Sequence, residues 1–419
     1  MIRRFLSLAA IVAASVLPMT AAASDGLDRG DTAWILTATA LVLLMTLPGL
    51  ALFYGGLVQA RNFLSVLMHC AVVAALASVL WLVCGYAIAF GDGGALNAIW
   101  GGLSKSFLSG VYSTAMAGTI PESAFFMFQM TFAIITPALI IGAYPERVRF
   151  PAVVLFSGAW LLIVYAPVCH WIWGGGWLAE MGVMDFAGGL VVHATAGTSA
   201  VVIAVMVGKR RGFPSALHPP HSPGLTMIGA SLLWVGWFGF NGGSALAADG
   251  GAAMAITATH LSAAAASLVW AGLEWLRFGK PSLIGLVTGC IAGLASVTPA
   301  SGFIGPIGGL LLGVAGAAIC FAAVSLIKFR FQIDDSLDVF AVHGVGGILG
   351  TLAVAFLALP AFGGLGLEDV ETLGICLHQA ILDAVVDHLH KVARARWPGV
   401  DVAALGAVVR GVAPRRARD

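Results

Sequence analysis

Two histidines of this chain stand in apolar runs, each eight residues after an aspartate. The first run is Asp185-Phe-Ala-Gly-Gly-Leu-Val-Val-His193 and the second is Asp335-Ser-Leu-Asp-Val-Phe-Ala-Val-His343. Aspartate is a favoured N-cap and suits the positive end of a helix dipole. Eight residues of helix rise about 12 Å, so each imidazole would sit deep in an apolar layer. An ionisable group there is costly and points to function. For one histidine alone, a ring satisfied by a backbone carbonyl would explain as much. Two at matching places point to a shared task. Neutral imidazoles donate and accept hydrogen bonds with little charge and relay protons, which suits a small polar solute crossing an apolar pore. Metal ligation does not suit the pattern, because zinc needs three or four ligands. His69, His170 and His260 lie near segment ends or lack the aspartate spacing. No metal and no cofactor is expected.

Aromatic residues make the second group. Trp173 precedes three glycines, Phe128 and Phe132 lie four apart on one helix face, and Trp237-Phe-Gly-Phe240-Asn-Gly-Gly-Ser244 closes another apolar run. Ring faces attract cations, by about 2 kcal/mol or more once the site is desolvated. Taken singly, each ring is equally an interfacial belt or packing residue. The six cysteines are scattered, without a CxxC pair, and read as small packing residues.

The elements that hold these residues follow from composition. The chain has 419 residues, 59% hydrophobic and 10% charged, against roughly 25% charged in soluble domains. Mean hydropathy is +0.97. A net charge of +1 gives no reason to expect a nucleic-acid partner. The 54 glycines suit helices that pack closely in lipid. Residues 1–23 read as a secretory signal ending in Ala21-Ala22-Ala23, the alternative being an uncleaved anchor helix. Ten apolar segments follow, near 32–54, 63–91, 121–144, 150–170, 187–208, 224–241, 252–275, 283–300, 303–327 and 339–362. The eighth is short and glycine-rich.

With the mature N-terminus outside, the inner loops carry ten basic residues: Arg61, Arg147, Arg149, Lys209, Arg210, Arg211, Arg277, Lys280, Lys328 and Arg330. The outer side, up to residue 375, carries only Arg29 and Lys105, so the positive-inside rule supports both count and orientation. The loop KRRGFPSALHPPHSP separates two sets of five segments. Five is odd, so the second set must be inverted relative to the first, a plan that places a transport site near the midplane. The predicted architecture is an all-α polytopic membrane domain over 24–375, with a first repeat over 24–208 and an inverted second repeat over 224–365. Asp185 would start from the outer face and Asp335 from the inner face.

The stretches FQMTFAIITPALIIGAYPERVRF, HWIWGGGW, DFAGGLVVHATAG, WFGFNGGSA, TPASGFIGP and DDSLDVFAVHGVGGILGT resemble the ammonium transporter family, relatives of yeast methylammonium permeases and Rhesus glycoproteins. The resemblance covers roughly residues 30–365 in the family's order. It implies that Trp173, Phe132 and Ser244 form an outer ammonium site, with Phe128 beside them. It implies that Phe132 and Phe240 stack as a gate, that His193 and His343 line the pore, and that Asp185 supports the outer site. It further implies a bacterial inner-membrane location, a homotrimer, eleven helices in bacterial members, and a PII-type nitrogen-regulatory protein as partner.

The end of the chain departs from that pattern. From Cys376 the sequence is interrupted by Asp383, Asp387, His388, His390 and Lys391, so it holds no eighteen-residue apolar span. An eleventh helix is therefore absent from the expected plan, and residues 376–419 read as an atypical tail, which an altered reading frame near 376 would produce. That departure bears on the trimer, the pore wall and the PII contact. The competing functions are an ammonium sensor, a transport-disabled variant, Rhesus-type gas conduction, and a membrane enzyme, which would need a nucleophile or metal constellation the sequence lacks.

Overall fold

The computed structural model describes residues 26–215 and 219–364. Its main helices are α1 (Arg29–Leu57), α2 (Ala60–Phe90), α3 (Glu122–Ala143), α4 (Phe150–Glu180), α5 (Gly189–Val207), α6 (Pro223–Gly242), α7 (Gly250–Phe278), α8 (Leu283–Val297), α9 (Pro306–Arg330) and α10 (Phe340–Leu357). They match the ten expected segments to within several residues, except that α4 runs ten residues past its expected end at 170. Among the described residues nine are long and apolar enough to cross a membrane. The exception is α8, whose 15 residues rise only about 22 Å. The expected signal over 1–23, the atypical tail over 376–419 and the place of an eleventh helix lie outside the described residues.

These sequences form helices because a backbone in an apolar solvent must satisfy its own N–H and C=O groups. Polar side chains inside the bundle follow the same rule. The hydroxyls of Thr39, Thr136, Thr259, Thr298 and Thr351 each donate to the carbonyl four residues earlier. The most enclosed helix is α3, which packs against α1, α2 and α5 and buries Phe128 and Phe132 completely.

Three helices depart from α geometry where it matters for the site. In α5 the N–H of Thr195 reaches back five residues to the Leu190 carbonyl. In α10 the N–H of Val345 reaches back five residues to Phe340. Each wide turn spans from three residues before a histidine to two residues after it. A third wide turn, Phe238–Gly242, carries Phe240 at the end of α6. Wide turns of this kind recur at functional sites.

Helices α5 and α10 cross at these turns, and two glycines permit it. Gly197 and Gly347 each lie four residues after a histidine. A Cβ on Gly197 would meet the Gly344 Cα at 2.4 Å, and one on Gly347 would meet the Gly189 carbonyl oxygen at 2.6 Å and the His193 Cβ at 2.7 Å. Each histidine turn therefore seats against the backbone of the opposite helix.

Candidate functional site

The crossing brings the two imidazoles together. His193 Nδ1 and His343 Nδ1 lie 3.3 Å apart, with the rings nearly parallel at a centroid separation of 5.2 Å. The residues are 1% and 4% exposed. A contact between two Nδ1 atoms requires a single proton between them, so one ring donates and the other accepts. The two Nε2 atoms are then of opposite kind, one an N–H donor and one a bare acceptor. His193 Nε2 is buried and has no protein partner.

A continuous column of rings leads away from this pair. Phe240 lies 6.0 Å from His193 at an interplanar angle of 20°. Phe132 lies 4.3 Å from Phe240, and Trp173 meets Phe132 edge-on at 5.7 Å. Phe128 is also edge-on to Phe132, at 5.0 Å. Phe132 and Phe240 are wholly buried, whereas Trp173 is half-buried, so the column runs from a partly open end to a closed middle. Ser244 is half-buried and lies one turn beyond Phe240, with its hydroxyl hydrogen on the Phe240 carbonyl at 2.9 Å. Its oxygen lone pairs therefore remain free to accept.

Asp185 anchors the open end. Its Oδ1 accepts the N–H groups of Gly188 at 2.8 Å and Gly189 at 2.6 Å, and its Oδ2 accepts those of Leu190 at 2.8 Å and Val191 at 3.0 Å. All four free donors at the start of α5 are met by one carboxylate. Burial pushes this carboxyl up from its usual range, and those four donors pull against the shift. The turn needs Gly188, whose φ is +111° and whose Cβ would strike Val192 at 2.7 Å. The Asp185 carbonyl also accepts the indole N–H of Trp173 at 2.8 Å, so the same residue orients helix and ring. The structure thus brings all eight sequence-derived site residues into one connected set.

The Ammonium Transporter Family model matches residues 33–386. The chain belongs to this family. The ammonium transporter of Bacillus subtilis (strain 168) is 45% identical over 346 residues, which cover 82% of this chain and 84% of that protein. The crystal structure of Saccharomyces cerevisiae Mep2 superposes with a TM-score of 0.77 at 32% identity, covering 90% of each chain. A solved structure described as a sensor Amt protein superposes with a TM-score of 0.78 at 26% identity, covering 92% of this chain and 94% of that one. As a member of this family the chain is a multi-pass membrane protein of a transporter class rather than an enzyme.

Two features of the site were missed by the sequence reading. Trp237 stacks on His193 at 5.5 Å and 27°, and its indole N–H is held by Thr298 Oγ1 at 2.8 Å. The signal for it was its place three residues before Phe240, one helical turn away. The other feature is a clasp from the start of α1. Asp31 Oδ1 accepts the Ala248 N–H at 2.7 Å, Asp31 Oδ2 accepts the Thr119 hydroxyl at 2.5 Å, and the Trp34 indole donates to the Gly242 carbonyl at 3.1 Å. Residues 242–248, which include Ser244, are pinned by this first turn. The partners lie 88 to 217 positions apart in sequence, beyond the reach of any local pattern.

Proposed function

We propose that this chain carries ammonium across a bacterial inner membrane, binding the cation at Trp173, Phe132, Phe128 and Ser244 and passing ammonia along His193 and His343. The observation that carries this reading is the buried Nδ1 contact of 3.3 Å beneath a closed column of rings. A bare cation in such surroundings would suffer a penalty of tens of kcal/mol. Ring faces and the free lone pairs of Ser244 offset part of that cost at the open end. Neutral ammonia has one lone pair and three N–H donors, so it pairs in turn with the donor and the acceptor Nε2 atoms of the two imidazoles. Asp185 supports the cation end with its fixed carbonyl and turn. Passage of the proton through the imidazoles would make the cycle electrogenic; without it the chain is an ammonia channel.

The test is uptake of labelled methylammonium by proteoliposomes of the full chain, with ammonium as competitor and current recorded in parallel. Saturable, competed uptake supports transport, and its absence from folded, inserted protein refutes it. In that assay His193→Ala leaves the partner imidazole without its hydrogen bond, which costs about 1–3 kcal/mol. Flux is expected to fall by about tenfold to a hundredfold, with weaker exclusion of potassium, an ion that has no N–H to donate. Undiminished flux and selectivity would refute the role given to the pair. Asp31→Ala acts through the clasp instead. Losing these partly exposed hydrogen bonds, at about 0.5–1.5 kcal/mol, is expected to raise the KM for methylammonium about two- to tenfold and to leave the maximal rate unchanged. A fall in maximal rate at constant KM would show that the clasp does not serve Ser244.

Two inverted halves account for the symmetry of the packing. Helices α1, α2, α3, α4 and α5 contact one another in the same pairs as α6, α7, α8, α9 and α10, and the two wide turns match residue for residue. A homotrimer belongs to the same reading, and His260, exposed on α7 beside Trp234 at 5.3 Å and Phe238 at 5.9 Å, offers a surface for a neighbouring copy. An imidazole facing lipid is costly, and a second copy of the chain would cover it. Contact with a PII-type regulatory protein and removal of residues 1–23 belong to the same reading. A sensor function is the second reading, favoured by the similarity to the sensor Amt protein. Ammonium binding without uptake would select it over transport.

A further inference from the structure

The two aspartates that start the histidine helices are matched in sequence and differ in their surroundings. Every lone-pair direction of Asp185 that faces its helix is taken by backbone N–H groups. Asp335 is 0% exposed and holds the start of α10 chiefly through the Phe340 N–H, which donates to Oδ2 at 2.7 Å, with the Val339 N–H also turned to the carboxylate. Its Oδ1 is buried with no hydrogen-bond partner. A bare carboxylate oxygen enclosed by protein costs free energy unless it gains a proton or a donor.

The neighbouring charges are committed elsewhere. Arg210 grips Asp334 through Nη2 at 2.7 Å and through Nε at 3.0 Å. Arg147 donates to the Asp334 carbonyl at 2.8 Å and to Ser336 Oγ at 2.9 Å, and also bonds the carbonyls of Ala143 and Gly208. Lys328 of α9 binds Asp338 Oδ2 at 2.6 Å. From α1, the Tyr54 hydroxyl is turned to the Leu139 carbonyl at 3.0 Å. Asp335 is thus left beside a second carboxylate, Asp338, while the cations around it serve other acceptors.

We propose that Asp335 is a proton-binding site, its Oδ1 taking a proton from the solution on the arginine-rich side and releasing it there, so that transport follows the pH of that side. The O–H bond forms at Oδ1 when a hydronium ion gives up its proton, and the charge at the start of α10 falls from −1 to 0. Burial first, then the Asp338 carboxylate, pushes the Asp335 carboxyl up to about 7, against the Phe340 N–H, Lys328 and the Val339 N–H. By contrast, burial pushes Asp334 up, but Arg210 and Arg147 outweigh it and hold that carboxyl below its usual range. Above neutrality Asp335 is charged and draws cations to the inner end of the pore. Below it the site is filled and that attraction is lost.

The proposal rests on the transport reading, and its test separates the two. Proteoliposomes with the arginine-rich face inward are loaded at internal pH values from about 6 to about 8, spanning the value of about 7, with external pH held constant. Wild type, Asp335→Asn and Asp335→Glu are compared under identical gradients. Asparagine keeps an oxygen for the Phe340 N–H and cannot ionise. Wild-type and Asp335→Glu uptake are expected to slow several-fold on internal acidification through neutrality, with Asp335→Asn showing only the common effect of the gradient. Identical profiles in wild type and Asp335→Asn would overturn the proposal. Infrared difference spectra of wild type give a second readout that needs neither transport nor the asparagine variant. A carboxylic-acid carbonyl band present near pH 6, absent near pH 8 and displaced in Asp335→Glu is expected. Its absence from the wild-type spectra would overturn the proposal even if uptake is normal, and its presence without uptake would leave the proton site standing while the transport reading fails.

Discussion

Asp185→Ala protein is expected to fail to accumulate as a folded membrane protein. The substitution strips four buried backbone N–H groups of their acceptor at once. Each unmet donor costs about 1–3 kcal/mol, so the four together cost on the order of 4–12 kcal/mol. That rivals the stability of a typical whole domain, roughly 5–15 kcal/mol. The Trp173 indole would lose its register as well, since it hangs on the carbonyl of the same residue. Asp185→Asn should fall between, because one amide oxygen serves two donors while its NH2 group opposes the others. The check is thermal unfolding in detergent alongside methylammonium uptake. An alanine variant as stable and active as the parent would show that the four hydrogen bonds do not hold the start of α5.

Gly347→Ala should damage the imidazole pair without touching either ring. The new methyl would lie 2.6 Å from the Gly189 carbonyl oxygen and 2.7 Å from the His193 Cβ, atoms that cannot swing aside as a side-chain tip can. Overpacking of this kind costs about 1–3 kcal/mol, and its relief pushes α10 away from α5, which lengthens the 3.3 Å contact. We expect a lower unfolding temperature and flux reduced by about tenfold or more. Gly197→Ala should behave alike, since its methyl would strike the Gly344 Cα at 2.4 Å. Gly272→Ala in α7 is the control: a Cβ there meets nothing within 4 Å, and alanine is the better helix former by about 1 kcal/mol. Equal behaviour of Gly347→Ala and the control would remove the crossing as the device that sets the histidine distance.

Much of this arrangement was legible in the chain because lipid is a strict solvent. Ten apolar runs follow from transfer free energies alone, and α8 was recognisably the short one. The aspartate and histidine pairs were visible because charges are scarce in such runs. The phase of the helices was hidden. In a largely apolar segment such as GLVVHATAG, a backbone bond that reaches back five residues rather than four leaves no mark in composition or periodicity. Trp237 could be seen but not aimed, since its partner His193 lies on another helix. The clasp of Asp31 on Ala248 and the seating of Gly347 against Gly189 join segments far apart in sequence, and only tertiary structure brings such partners together. The asymmetry between Asp185 and Asp335 was hidden for the opposite reason, because the local sequences look alike.

The wide turns around His193 and His343 have a consequence for inheritance. A turn closed over five residues holds one more residue than an α turn, and each residue rotates the helix by about 100°. Deleting a single apolar residue within Gly189–Ala194 or Phe340–Gly344 would barely alter hydropathy, yet it would swing the rest of α5 or α10 by more than a quarter revolution and face Gly197 or Gly347 away from its seat. Substitution among valine, leucine and alanine in these two buried stretches costs only local packing, whereas a change of length costs the register of the whole helix. In a lineage that keeps this crossing, these few positions should tolerate spelling changes far better than gaps.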